Sequence, residues 1–161
     1  MKNSHVSFYR KAYFTAKCLL AHESIVCLAG QKESGKTTIM LQLKDKFDGE
    51  YIPFKQMTAE HTESAFAQVM QSIENNEPKT FYLDDIMCLP DLNGKLNSIY
   101  AMLQKLELPE EQPKFKLIVS GSKDNEMTSI IDKTLDDYAV VVHVPYFIPI
   151  SSKRACAMYV H

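Results

Sequence analysis

Residues 30 to 37 read Gly30-Gln31-Lys32-Glu33-Ser34-Gly35-Lys36-Thr37, which matches the spacing G-x-x-x-x-G-K-[ST] at every fixed position. Each fixed position has a chemical reason. Glycine at both ends lets the backbone wrap closely round a phosphate with its N–H groups turned inward. A helix starting at the lysine adds the partial positive charge of its N-terminus. Lys36 is placed to bridge the β- and γ-phosphates of a nucleoside triphosphate, and the Thr37 hydroxyl to ligate Mg²⁺. Gly30, Gln31, Lys32, Glu33, Ser34, Gly35, Lys36, Thr37 and Thr38 are therefore the candidate ATP-binding residues. Within that set Lys32 and Glu33 fall on the crown of the loop, where a solvated charge is the plainer role. Thr38 either faces the α-phosphate or caps the helix locally.

A second group of reactive residues follows an apolar run, Phe81-Tyr82-Leu83-Asp84-Asp85-Ile86. It puts two carboxylates at the C-terminal end of a strand, where open α/β sheets bind ligands. Asp84 would orient a Mg²⁺-bound water, making Thr37 and Asp84 the candidate metal ligands. Asp85 would polarise the water that attacks the γ-phosphate. Adjacent acids repel one another, so a cation is implied between them and the substrate; a surface turn after a strand has the same composition. A third polar position follows Lys116-Leu117-Ile118-Val119, where Ser120 or Ser122 could sense the γ-phosphate through the attacking water. Ser120-Gly121-Ser122 is also turn chemistry in its own right. Asp85, Lys36 and Ser120 form the candidate catalytic set.

These groups need a scaffold that brings strand ends together, and the hydrophobic pattern supplies one. Short apolar runs predict strands at 24–29, 50–54, 80–83, 115–120 and 139–144, separated by segments of helical periodicity at 5–20, 36–47, around 66–73, 96–106 and 124–133. The alternation specifies a three-layer α/β P-loop NTPase sandwich with a five-stranded, mostly parallel sheet. The expected organisation is a leading helix in 1–22, a nucleotide-binding domain in 23–150 and a short C-terminal helix or tail in 151–161.

Composition narrows the function classes. The chain has 161 residues, 45% apolar, with 18 Lys+Arg against 20 Asp+Glu for a net charge of −2. Such a chain supports one ordinary core and argues against disorder. The charge balance gives no footprint for nucleic acid, which leaves such a partner possible only through a basic patch assembled by the fold. Cys18, Cys27, Cys88 and Cys156 lack zinc-ligand spacing and read as reduced thiols, and His5, His22, His61, His143 and His161 show no mutual spacing suited to a metal. No secretory signal or run of about 20 apolar residues is present, so the expectation is a cytoplasmic protein without membrane insertion. Tyr146, Phe147 and Ile148 would be either an exposed contact patch or packed on the leading helix.

Taken in order, the phosphate loop, Tyr51-Ile52-Pro53-Phe54, Leu83-Asp84-Asp85-Ile86 and Leu117-Ile118-Val119-Ser120 resemble the core of AAA+ P-loop ATPases of the additional-strand type. The Asp-Asp pair and the Tyr-Ile-Pro-Phe strand are similar to the DnaA/Hda-like initiator and loader group. Gly121-Ser122 and Val144-Pro145-Tyr146-Phe147 are similar to other minimal AAA ATPases. The resemblance implies ATP and Mg²⁺ as ligands. It also implies an arginine finger before the fifth strand, where 131–138 offers only Lys133, and a helical lid after it. A lid needs about 60–100 residues, whereas only 150–161 follow Pro149; Arg154 lies in that stretch.

The expected function is a weak Mg²⁺-dependent ATPase acting as a subunit or regulator of a larger DNA-handling or transport assembly, with a protein partner or a homo-oligomer. The alternatives are a non-catalytic adaptor module on the same fold and a small-molecule kinase. A kinase is disfavoured because Arg10 and Arg154 are the only arginines.

Overall fold

The computed structural model describes residues 10–106, 113–122, 124–135 and 137–145. The expectations for residues 5–9, Tyr146 to Ile148, Arg154, Cys156 and the C-terminal tail lie outside the described residues. In chain order the elements are α1 (Lys11–Leu19), β1 (Ile25–Ala29), α2 (Lys36–Phe47), β2 (Glu50–Pro53), α3 (Ala59–Glu74), β3 (Thr80–Asp84), α4 (Leu92–Leu106), β4 (Lys116–Gly121), α5 (Asp124–Leu135) and β5 (Ala139–His143). Two 3-10 turns, Phe54–Gln56 and Ile86–Cys88, follow β2 and β3.

The strands form one sheet in the order β2-β3-β4-β1-β5, and every adjacent pair is parallel. The expected "mostly parallel" sheet is thus wholly parallel among the described strands. β4 lies between β1 and β3, so the strand that carries Ser120 separates the strand leading into the phosphate loop from the acidic strand. A parallel sheet covered on both faces requires strands without an obligatory polar alternation. β1 meets this with Ile25, Val26, Cys27, Leu28 and Ala29, all fully buried.

Because side chains alternate across a strand, the first four of these residues split between two cores. Ile25 and Cys27 join Phe81, Leu83, Leu117 and Val119 beneath α3, α4 and α5. Val26 and Leu28 join Tyr82, Ile118 and Val142 beneath α1 and α2, through Ala12, Tyr13, Ala16, Ile39, Met40 and Leu43. Burying each large aliphatic side chain contributes about 1.5–3 kcal/mol, so both helical layers are held by sheet residues.

Local chemistry sets the ends. Asp48 and Gly49 stop α2 with positive φ values of 60° and 119°. A Cβ at Gly49 would lie 2.4 Å from the Thr80 carbonyl oxygen, so the turn demands glycine twice over. Thr58 caps α3, its hydroxyl accepting the His61 N–H at 3.2 Å.

Candidate functional site

All five parallel strands point their C-terminal ends to the same edge, and the register decides which residues meet there. Ala29 pairs with Gly121, and Pro53 with Asp84. The phosphate loop, the acidic pair, Ser120 and the end of β2 therefore open onto one cleft of about 510 Å³. Lys32, Glu33, Gly35, Lys36, Thr37 and Thr38 line one wall, Asp84, Asp85, Ser120 and Ser122 the floor, and Tyr51, Pro53, Lys55 and Gln56 the other wall. Gly30, Gln31 and Ser34 shape the loop from behind without lining the cleft.

The loop's glycines are there for space and for conformation. A Cβ at Gly30 would sit 2.7 Å from the Val144 carbonyl oxygen and 2.8 Å from Ser34 Oγ. Gly35 adopts φ +93°, a left-handed conformation that starts α2. The Lys36 ammonium is buried and donates to the carbonyls of Gly30 at 2.7 Å and Gln31 at 2.6 Å, and to Ser34 Oγ at 3.3 Å. The side chain is thereby curled over the loop. No acidic residue occupies the first turn of α2, so the positive end of the helix is not offset from within.

Asp84 joins the motifs. Its Oδ2 accepts the Thr37 hydroxyl at 2.7 Å and the Tyr51 hydroxyl, and its Oδ1 accepts the Ser120 hydroxyl at 2.7 Å. Ser120, fully buried, in turn accepts the Asp85 N–H at 2.9 Å. Burial, followed by the bond to Asp84 and that carboxylate's charge, pushes the Tyr51 phenol well above its ordinary range, which keeps it a proton donor.

Asp85 is held differently. It takes left-handed backbone angles, φ 60° and ψ 66°, and its buried Oδ1 has no hydrogen-bond partner within the protein. A strained acid with an unmet oxygen at a strand end is a feature of functional sites. Nearby, burial and then the charge and hydrogen bonding of Asp85 push the Cys88 thiol up, while Lys55 opposes the shift.

The residues fit a magnesium ion in chemical type. Thr37 Oγ1 and Asp84 Oδ2 are hard oxygen donors already in contact. Among the described residues no three His, Cys, Asp or Glu side chains converge. That suits Mg²⁺, which takes one or two protein oxygens and completes its shell with water and substrate phosphate.

A family model described as an AAA domain matches residues 22–149. The chain belongs to the AAA domain family. Among solved structures, this AAA domain is similar to the crystal structure of Cdc6p from Pyrobaculum aerophilum, with a TM-score of 0.55 and 16% identity. The match covers 88% of this chain and 48% of that one, so the chain spans about half the length of that structure. At this identity the likeness concerns the fold alone. No curated protein matches the chain. Fold and family together make it a P-loop ATPase-type domain of the AAA+ class. No described helix is long and apolar enough to cross a membrane.

Sequence reasoning missed the β2 wall and Arg10. Tyr51 was read only as part of the Tyr-Ile-Pro-Phe strand, with no role in the site, and Lys55 and Gln56 carry no motif; only the placement of β2 beside β3 would have found them as cleft residues. Arg10 donates to the carbonyls of Ser34 and Pro145, tying the residue before α1 to the phosphate loop and to the end of β5. No local pattern announces a contact across 135 positions. Lys133, the cation nearest the expected finger position, is exposed on α5 and does not line the cleft.

Proposed function

We propose that this AAA domain binds Mg-ATP in the cleft and hydrolyses it slowly, serving as a nucleotide-dependent subunit or regulator of a larger assembly. The observation that carries the reading is the 2.7 Å bond between Thr37 Oγ1 and Asp84 Oδ2. It joins two motifs 47 residues apart in the chain, at the one point where Mg²⁺ chemistry needs a hydroxyl and a carboxylate together.

When bound, Mg²⁺ would neutralise charge developing on the phosphates, and Thr37 and Asp84 would hold it. Lys36 and the inward N–H groups of the loop bind the phosphate chain. Tyr51 and Ser120 orient Asp84 by donating to its two oxygens. Asp85 supplies the base: as a water oxygen bonds to the terminal phosphorus and the bond to ADP breaks, the water's proton passes toward this carboxylate. No arginine lines the cleft among the described residues. A cation of that kind supplies a large part of the rate in phosphoryl transfer, so turnover is slow until a partner chain provides it. The Asp84-Asp85 pair supports a relationship to the initiator and loader group.

Calorimetry with Mg-ATP tests the reading. The wild type should bind, and Lys36→Met, which removes the ammonium while keeping most of the apolar stem, should weaken binding by at least tenfold. A wild type with no measurable affinity for Mg-ATP or Mg-ADP overturns it.

A further inference from the structure

The β2 wall holds a cation with no assigned role. Lys55 lies on the 3-10 turn Phe54–Gln56 and lines the cleft together with the phosphate loop, Asp84 and Asp85. Its backbone is fixed from below. Phe54 is 2% exposed in the core, and the Met57 N–H closes the turn on the Phe54 carbonyl at 3.1 Å. The turn packs against β3 and the 3-10 turn Ile86–Cys88, the segment that follows Asp85. Pro53 pairs with Asp84, which places Lys55 just past the register of the acidic strand end.

Three lysines line the cleft, and their surroundings differ. Lys36 is held by loop carbonyls, and Lys32 sits exposed on the loop crown. Lys55 is exposed and makes no ion pair among the described residues. In the same cleft are Asp84, which accepts from three donors, and Asp85, whose buried oxygen has none. With Lys36 bridging the last two groups of a triphosphate, the terminal group is the one that would reach toward the acidic pair and the β2 wall. A strongly hydrated ammonium on a four-carbon stem acts there as a point charge, suited to recognising charge and unable to copy the planar fork of an arginine finger.

We propose that Lys55 is the residue by which the domain distinguishes a nucleoside triphosphate from a diphosphate, by pairing with the terminal phosphate from the β2 side. The inference rests on the ATP-binding reading and adds a contact that this chain supplies to its own nucleotide. It also gives the β2 turn a reason to register the nucleotide state, because the turn is packed on the segment after Asp85.

The test is calorimetry of Lys55→Ala, Lys55→Arg and wild type with Mg-ATP, with a slowly hydrolysed Mg-ATP analogue and with Mg-ADP, alongside thermal melts. The expected result is a roughly tenfold loss of affinity for Mg-ATP and the analogue in Lys55→Ala, an unchanged affinity for Mg-ADP, and substantial recovery in Lys55→Arg. An exposed side chain on an anchored turn should leave the melting temperature unchanged. Equal losses for ATP and ADP, or no loss for either, overturn the role of Lys55 while the wild type's binding leaves the ATP reading standing. A wild type that binds neither nucleotide overturns both.

Discussion

Replacing Ser120 with alanine isolates the hydroxyl that connects the two acids. Ser120 Oγ donates to Asp84 Oδ1 at 2.7 Å and accepts the Asp85 N–H at 2.9 Å, with the residue fully buried. Deleting the hydroxyl removes a bond to a charged group, worth about 1.5–3 kcal/mol, and leaves a partly buried N–H unmet at about 1–3 kcal/mol. Taking the lower part of both ranges, since one bond's loss relaxes the other, gives roughly 3 kcal/mol. For a domain of this size each kcal/mol shifts the melting temperature by about 3 °C, so the variant should melt roughly 9 °C lower. Urea unfolding followed by circular dichroism measures the loss at constant slope. A double-mutant cycle then divides it. In an Asp84→Ala background only the N–H contribution remains, and the same substitution should lose about half as much. A loss below about 1 kcal/mol, or an equal loss in both backgrounds, would refute the idea that Ser120 holds the acidic pair together.

Two further predictions concern the neighbouring groups. Asp85→Asn keeps a residue type that tolerates left-handed angles and removes a charge beside Asp84, so the fold should be as stable as wild type or slightly more so. Single-turnover assays should show ATP bound but not cleaved; retained turnover would remove Asp85 from the proposed chemistry. The Tyr82 phenol, whose hydroxyl donates to the Asp48 carbonyl at 2.9 Å, is pushed up from 10.0 to about 12 by burial and then by the charge of Asp48. A raised phenol contributes stability that is fully present below pH 10 and is lost as pH climbs toward 12. Wild type should therefore lose stability more steeply across that window than Tyr82→Phe, and parallel pH profiles of the two would count against it.

Where the sequence was readable, the physics was local. The phosphate loop, the apolar run into Asp84 and Asp85, and the Asp48-Gly49 stop all depend on neighbours within a few residues. Their elements accordingly appear within one or two positions of the expected bounds. Asp84 had a metal role on paper, but its three donors come from α2, β2 and β4, and only the folded sheet unites them. Tyr51 illustrates the difference. In the sequence it belongs to the Tyr-Ile-Pro-Phe strand that carries part of the resemblance, and its hydroxyl acquires a purpose only because β2 lies beside β3. Lys55 and Arg10 were illegible for the same reason. A solitary cation gains meaning from what the topology sets across from it.

The strand order has one consequence for how the protein comes into being. β1 is made early, yet its two lateral neighbours, β4 and β5, are the last of the described strands to be synthesised. A nascent chain that has produced the phosphate loop, α2, β2 and β3 still holds its most apolar strand with both edges unpaired, a surface prone to association. Gly30 reaches its final packing only when Val144 arrives beside it. The cleft proposed to hold the nucleotide is thus completed only after β5 has been made, and a nucleotide bound there would report that the sheet is fully assembled.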